Sequence, residues 1–383
     1  MVSAGPFDPW TYRTNGFSSS ATLDSVAYGD GQFVAVGSYY PGSLTGLILS
    51  SSDGVTWTQR VTGLTSSFSG IRYVGEKFIA TGNGGVIAVS TNGMNWAGVV
   101  LSNFTSAYLK SAAYGNGRFV AVGYQYVNGA NGPVILSSTN TTNWNFWSTN
   151  TNLRLADVAY GNGRFVAVGS GTSGGTNQGV LTSTDGLEWT AQDAGLGQIS
   201  GIAYGNDQFV AVDSYGGTML TSPDGETWSA HPVNLPLAFI TGLGFGNGTF
   251  LAVGSTSQSQ HTLLFSTDGT NWQSEVIGPR IGNYFLYGAA FGAGTFVVVG
   301  VPHSIAQSRP VAIPSVEDLA AMPETGLAFN ISGEIGRAYH LQYSTDFQSW
   351  TDLLSYTNDG AMRRFVDSSV RSNAFRVYRV VSP

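Results

Sequence analysis

One unit of roughly 45 residues is written repeatedly along this chain, and that repetition limits the fold more than any other feature. In the copy at residues 158–189, apolar runs of four or five residues are cut by Gly, Asn or Asp. This pattern predicts strand, turn, strand, loop, strand, turn, strand. A phenylalanine in the FVAVG-like segment marks seven copies, spaced 41 to 46 residues apart: Phe33, Phe78, Phe119, Phe165, Phe209, Phe250 and Phe296.

Seven four-stranded units predict a closed ring. A single unit cannot bury both faces of its sheet, so neighbouring units must stack. This period with four strands per repeat is typical of a β-propeller, in which radial closure leaves only short, protected edges. We therefore predict an all-β protein, with a seven-bladed propeller over residues 1–310 and a small accessory β-sandwich over residues 311–383.

The two ends of the repeat region complement each other. The segment WTYR at residues 10–13 matches WTQR at residues 57–60, which ends the first repeat, yet no strands of its own precede it. The seventh repeat offers only three strands before the pattern stops at Pro310. We predict that the N-terminal segment supplies the missing outer strand of the seventh blade and closes the ring.

Composition narrows the partners and the compartment. With 16 basic against 23 acidic residues, a nucleic-acid groove is not expected. The absence of cysteine excludes disulfides and thiolate chemistry. No apolar run has the length of a membrane span, and the N-terminus lacks the regions of a signal peptide. Because charge is scarce, we expect a secreted or cell-surface bacterial protein whose leader was removed, with a cytoplasmic location as the alternative.

A turn of the form Ser-x-Asp-Gly-x-x-Trp follows the third strand of six repeats. It resembles the Asp box, or bacterial neuraminidase repeat. In such a turn the acid or amide oxygen accepts backbone N–H groups, glycine adopts the left-handed conformation and tryptophan covers the hairpin. We predict a structural rather than a calcium-binding or catalytic role, because asparagine replaces the acid twice. The six positions are Asp53, Asn92, Asn140, Asp185, Asp224 and Asp268.

The resemblance implies a fold and a bias towards glycans. Propellers with Asp boxes include sialidases, xyloglucan-active glycosidases, sortilin-like receptors and a photosystem assembly factor. Sialidases hold a carboxylate with three arginines and use a tyrosine nucleophile beside a glutamate. Arg118 and Arg164 lie instead in the repeated hairpin turns of this chain, so sialidase activity is not expected.

Candidate catalytic residues are sought where one repeat departs from the others. Asp213 replaces the glycine that ends the second strand in the other six repeats. Asp24 and Lys110 precede the inner strands of their repeats, and Asp157 lies one position further along in its own. Converging on the axis, these groups would supply acid and base chemistry to a polysaccharide-active glycoside hydrolase or lyase. They fit a solvated channel lining equally well.

Candidate ligand-binding residues lie in the long loops after the second strand. Aromatic side chains there would stack on the apolar face of a sugar, and the alternative is that they stabilise the loops. The histidines lack ligand spacing, so we predict no metal or other cofactor, with a metal assembled across blades as the alternative. The loop residues are Tyr39, Tyr40, Tyr124, Tyr126, Asn128, Tyr215, His261 and His303.

The last segment leaves the repeat and gains charge. Its alternating strands and final RVYRV at residues 376–380 resemble the β-sandwich at the end of secreted verrucomicrobial and planctomycete proteins. The resemblance implies an accessory module for association with the cell surface. For the chain as a whole we expect a propeller that binds carbohydrate or another small molecule at its loop-bearing face, without a cofactor. A hydrolase or lyase and a protein-docking scaffold are the alternatives.

Overall fold

The computed structural model divides into two compact units, Met1–Arg309 and Pro310–Pro383. The described residues are β-strands and their turns, with one turn of 3-10 helix at Ser102–Phe104. No described segment is a helix with the length and apolar character of a membrane span. The structure describes residues 10–13, 21–40, 44–127, 130–147, 149, 151–171, 179–192, 198–214, 217–233, 237–256, 261–277, 285–301, 304–309, 315–322, 326–332, 338–345, 349–357, 363–367 and 377–381.

The described part of the first unit forms seven four-stranded antiparallel sheets. The N-terminal strand β1 (Thr11–Arg13) belongs to the last of them. Sheet 1 consists of β2 (Ala21–Gly29), β3 (Gln32–Tyr39), β4 (Thr45–Ser51) and β5 (Thr58–Gln59). Sheet 2 consists of β6 (Phe68–Val74), β7 (Lys77–Gly82), β8 (Val86–Ser90) and β9 (Ala97–Val100). Sheet 3 consists of β10 (Ala107–Gly115), β11 (Arg118–Val127), β12 (Ala130–Ser138) and β13 (Asn145–Trp147).

The remaining sheets repeat this order. Sheet 4 consists of β14 (Leu153–Gly161), β15 (Arg164–Gly171), β16 (Val180–Ser183) and β17 (Thr190–Gln192). Sheet 5 consists of β18 (Ile199–Gly205), β19 (Gln208–Asp213), β20 (Thr218–Ser222) and β21 (Ser229–Pro232). Sheet 6 consists of β22 (Leu237–Gly246), β23 (Thr249–Thr256), β24 (His261–Ser266) and β25 (Gln273–Val276). Sheet 7 consists of β26 (Phe285–Gly292), β27 (Thr295–Val301), β28 (Ser304–Gln307) and β1.

The sheets stack in a closed cycle with the core between them. The first strand of each sheet contacts the first strand of the next, and β26 of sheet 7 contacts β2 of sheet 1. Because successive side chains of a strand point to opposite faces, Phe33 of β3 packs with Val297 of sheet 7, while Val34 packs with Phe78 of sheet 2. Each second strand is therefore buried on both faces, which explains its uninterrupted apolar sequence.

The N-terminal strand completes sheet 7, as the sequence predicts. Tyr12 of β1 pairs with Ala306 of β28 in antiparallel register. Arg13 Nε donates to Gln307 Oε1 over 2.9 Å, and Tyr12 Oη lies 3.1 Å from His261 Nδ1 of sheet 6. The last sheet is thus built from both ends of the repeat region.

The Asp-box-like turns satisfy their acid or amide groups internally. In the fifth turn Asp224 Oδ1 accepts the N–H groups of Glu226 and Thr227, both over 2.9 Å, which hold its pKa below the usual value. Gly225 has a φ of 77°, in the left-handed region. Two backbone N–H groups are accepted in the same way at the other five positions: Asp53, Asn92, Asn140, Asp185 and Asp268.

These turns also join neighbouring sheets. Asn116 in the inner hairpin of sheet 3 donates to Thr184 O in the turn of sheet 4 over 2.7 Å, and Asn206 of sheet 5 donates to Thr267 O of sheet 6 over 2.7 Å. The sequence analysis predicts a structural role for these turns. Their contact with the preceding sheet gives them a second structural role.

The second unit contains two three-stranded antiparallel sheets. Its core includes Tyr339, Leu341 and Tyr356. One sheet has the order β29 (Ser315–Met322), β30 (Gly326–Ser332) and β33 (Arg363–Asp367). The other has the order β32 (Thr351–Thr357), β31 (Ala338–Ser344) and β34 (Val377–Val381).

Candidate functional site

A β-bulge interrupts the first strand of all seven sheets at the same position of the repeat. At each bulge the pairing with the second strand skips one residue. The side chain of the skipped residue departs from the regular alternation between the two faces of the sheet. The sequence analysis placed these positions before the inner strand, and the structure corrects this by placing them within it. The skipped residues are Asp24, Ser69, Lys110, Ala156, Ser200, Thr241 and Tyr287.

All seven bulge residues line one cavity, together with Arg72 and Asp157. Its volume is about 90 Å³, which holds a few water molecules or one small polar group. Since every sheet contributes one bulge residue, the cavity lies where the inner strands of all seven sheets meet. We name it the polar cavity.

Asp24 and Lys110 are the charged bulge residues. Burial raises the pKa of Asp24 to about 6, and the positive charge of Lys110 opposes this rise. Burial also lowers the pKa of Lys110, opposed by the charge of Asp24. Asp24 and Lys110 thus act on each other through their charges. A carboxyl group with this pKa exchanges its proton near neutral pH.

Arg72 and Asp157 cross the cavity from sheet 2 to sheet 4. Arg72 Nη2 donates to both carboxylate oxygens of Asp157, over 2.7 and 2.8 Å. The same oxygens accept the backbone N–H groups of Val158 and Ile202, over 2.9 and 3.1 Å. Asp157 is 5% exposed. Its carboxylate, a candidate catalytic group in the sequence, therefore joins the inner strands of three sheets: β6, β14 and β18.

Asp213 lies apart from the other candidate catalytic residues. It ends β19, where it pairs with Ile199, and it is not among the residues that line the polar cavity. The structure thus brings together Asp24, Lys110 and Asp157 and leaves Asp213 elsewhere. A departure from the repeat marks Asp213 without showing that its side chain reaches the axis.

Aromatic rings lie close to two of the residues that line the polar cavity, Lys110 and Tyr287. Tyr108 stacks on Tyr124 with ring centroids 5.2 Å apart and an angle of 17°. Lys110 Nζ and the Arg154 guanidinium carbon lie 6.0 and 5.5 Å from the centroid of the Tyr124 ring. The Tyr287 ring stacks with a neighbour on β26 at 6.4 Å. Tyr108 is 40% exposed and available to a ligand.

The sequence analysis missed Tyr108, Arg154 and Phe285. All three precede a bulge residue by two positions, and Phe285 is the ring that stacks on Tyr287. A comparison of this position across the seven repeats would have identified them.

Apart from Tyr124, which is described above, the predicted ligand-binding residues differ in their exposure. Tyr39 is half-buried against the core of sheet 1, whereas Tyr40 and Tyr126 are exposed. His261 is a correction, since it lies buried in β24 beside Tyr12 rather than in an exposed loop. The others lie outside the described residues: Asn128, Tyr215 and His303. Within the described ranges, no cluster of three His, Asp or Glu residues could hold a metal ion.

No protein-family model and no curated protein matches the chain. Among solved structures, a streptogramin B lyase superposes with a TM-score of 0.63 at 13% identity, over 79% of this chain and 97% of that one. A catalytically inactive virginiamycin B lyase from Staphylococcus aureus, solved with quinupristin, gives 0.61 at 13% identity, over 78% and 98%. The β-propeller domain of Myceliophteria thermophila Cps50 (Swd1) gives 0.56 at 10% identity, over 78% and 99%. These likenesses show a β-propeller fold.

Proposed function

We propose that residues 1–310 form a seven-bladed Asp-box propeller that binds carbohydrate at the end bearing the polar cavity. In this proposal the protein is secreted or held at the cell surface, and residues 311–383 are an accessory β-sandwich. The observation that carries the binding site is the charged pair Asp24 and Lys110 in the polar cavity. Lys110 Nζ lies 6.0 Å from the centroid of the Tyr124 ring, on which Tyr108 stacks. Aromatic faces beside a few polar groups suit a pyranose, which has an apolar face and many hydroxyls.

The hydrogen bonds of the cavity indicate which groups would meet a ligand. Ser200 Oγ donates to Ile240 O over 2.9 Å, and Thr241 Oγ1 donates to Leu286 O. These hydroxyls serve the contacts between sheets. Asp24 and Lys110 remain as the charged groups, and a cavity of about 90 Å³ would take one polar substituent while the sugar ring lies on Tyr108.

A glycan array with the full chain tests the proposal. Tyr108→Ala and Lys110→Ala should each weaken binding of the selected glycan by about tenfold or more, since each removes a direct contact. Phe146→Ala is the matched control, because Phe146 is 42% exposed, against 40% for Tyr108, but lies on the outer strand β13. Absence of glycan binding, or equal weakening by all three variants, would contradict the proposal.

The pKa of Asp24 supports a second candidate function. A carboxyl group with a pKa of about 6 can donate and accept protons near neutral pH, as a glycoside hydrolase or lyase requires. A reducing-sugar assay and an assay for unsaturated products on the glycans selected by the array separate the two functions. Turnover that is lost in Asp24→Asn but kept in Asp213→Asn favours the enzyme. Binding without turnover favours a glycan-binding protein. If the chain shows neither glycan binding nor turnover, a protein-docking scaffold is favoured.

A further inference from the structure

A ring of aromatic side chains lies at the other end of the inner strands. Each first strand carries a tyrosine or phenylalanine close to its hairpin turn, followed directly by glycine in six sheets and by Val74 in sheet 2. These residues line a second cavity of about 330 Å³, which we name the aromatic cavity. The seven rings are Tyr28, Tyr73, Tyr114, Tyr160, Tyr204, Phe245 and Phe291.

Glycines of the neighbouring sheets fix these rings. A Cβ atom on Gly161 would lie 2.1 Å from Cγ and Cδ2 of Tyr204, and one on Gly29 would lie 2.0 Å from Cγ of Tyr73. The ring of each tyrosine therefore has one face directly on the backbone of the preceding sheet. The ring edges remain for the cavity, and they are held in place before a ligand arrives, which lowers the cost of binding. The hydroxyl group of Tyr160 is already engaged, since it donates to Asn116 Oδ1 over 2.8 Å.

The wall and the inner end of the aromatic cavity set its size and charge. Arg72 lines both cavities, as do Val26, Leu243 and Ala289, and both oxygens of Asp157 compensate the charge of Arg72. A volume of about 330 Å³ is in the range of small-molecule sites, which begins at roughly 300 Å³. Small residues behind the aromatic rings leave this space: Ala27, Ala113, Ala159, Ala203, Gly244 and Ala290.

We propose that the aromatic cavity is a second binding site, which takes an uncharged organic molecule with an aromatic ring. Tyrosine edges carry partial positive charge and attract the face of a ligand ring. Burial, together with the negative charges of Asp30 and Glu76, raises the pKa of Tyr73. These carboxylates, whose charges reach the Tyr73 hydroxyl, disfavour an anion in the cavity, and the charge of Arg72 is already paired with Asp157. This site is independent of the glycan site.

Titration of the full chain with 2-naphthol, followed by ligand-observed NMR, tests the second site. We expect saturable binding of 2-naphthol and binding of 2-naphthalenesulfonate weaker by about tenfold or more. Ala203→Leu adds three carbons inside the aromatic cavity and should weaken 2-naphthol binding by about tenfold or more. Ala97→Leu, on the exposed outer strand β9, is the matched control and should leave binding within about twofold.

The proposal is overturned if 2-naphthol does not bind saturably, or if Ala203→Leu binds it as the unmodified chain does. Circular dichroism checks the fold of the variant, and Ala159→Met replaces it if Ala203→Leu does not fold. If neither variant folds, equal binding of the sulfonate and the naphthol overturns it. Glycan binding by a folded Ala203→Leu should be unchanged, because Ala203 lines the aromatic cavity and is not among the residues that line the polar cavity. Failure of one site is therefore distinguishable from failure of the other.

Discussion

Replacing Asp157 by asparagine removes one charge at the centre of the ring. The carboxylate oxygens of Asp157 accept four hydrogen bonds, two from Arg72 and one each from the backbone N–H groups of Val158 and Ile202. Asparagine keeps one acceptor oxygen and presents N–H groups at the other position. One N–H group of Arg72 and one backbone N–H group then face the NH₂ group of asparagine, which cannot accept their hydrogen bonds. The charge of Arg72 also loses its partner.

The expected loss follows from burial. Removing one partner of a buried ion pair costs about 3–5 kcal/mol. The Arg72 side chain is 30% exposed, so water offsets part of that cost. Two lost hydrogen bonds at about 1.5 kcal/mol each lead to a similar value. We expect Asp157→Asn to lower the free energy of unfolding by about 3 kcal/mol, measured by urea denaturation of the full chain.

Two further variants establish the cause. Glu226→Gln breaks the exposed pair with Arg164 and should cost less than about 1 kcal/mol. Combining Arg72→Met with Asp157→Leu removes both charges and should recover at least about half of the loss, because no buried charge remains unpaired. The reasoning is refuted if Asp157→Asn unfolds at the same urea concentration as Glu226→Gln.

Burial raises the pKa of Asp24 in the folded state to about 6, so ionisation of Asp24 destabilises the fold. The destabilisation is absent below about pH 4 and grows as the pH rises through about 6. Asp24→Asn should therefore increase the free energy of unfolding by about 1–3 kcal/mol near pH 7.5 and change it little near pH 4, and equal effects at both pH values would contradict this. Tyr12→Phe removes the hydrogen bond to His261 and should lower the free energy of unfolding by about 1 kcal/mol. Deletion of residues 1–13 also removes the pairing of β1 with β28, so calorimetry should show a larger loss of stability. Asp224→Asn should keep the stability within about 0.5 kcal/mol in urea denaturation, and Asp224→Ala should lower it by about 1–2 kcal/mol; equal losses would argue against the turn hydrogen bonds.

The sequence predicts the features that recur with the repeat. The strand phenylalanines, such as Phe33, mark each unit, because burial on both faces demands an apolar run in every copy. The structural role of the Asp-box-like turns follows from the sequence because Asp53 of one turn corresponds to Asn92 of the next. The side-chain oxygen of each residue accepts the equivalent backbone N–H group of its own turn. The match between residues 10–13 and 57–60 predicts the pairing of β1.

The polar cavity depends on contacts that the sequence does not record. A bulge is a property of two paired strands, so the sequence alone does not show that Asp24 leaves the alternation of β2. Arg72 and Asp157 are 85 residues apart and belong to sheets that are not adjacent in the ring. His261 meets Tyr12 across 249 residues. Each placement follows from closure of the ring and not from local sequence.

The bulge positions differ in what they contribute to stability, and this difference bears on function. Ser200 and Thr241 donate hydrogen bonds to the next sheet, so their side chains strengthen the ring. Burial instead raises the pKa of Asp24 and lowers that of Lys110, so these two charges oppose folding near neutral pH. Residues that lower stability are typical of binding and catalytic sites. If Asp24→Asn gains stability and also loses glycan binding or turnover, the charge is retained for function. If Asp24→Asn gains stability while glycan binding and turnover stay unchanged, Asp24 is part of a solvated lining of the polar cavity.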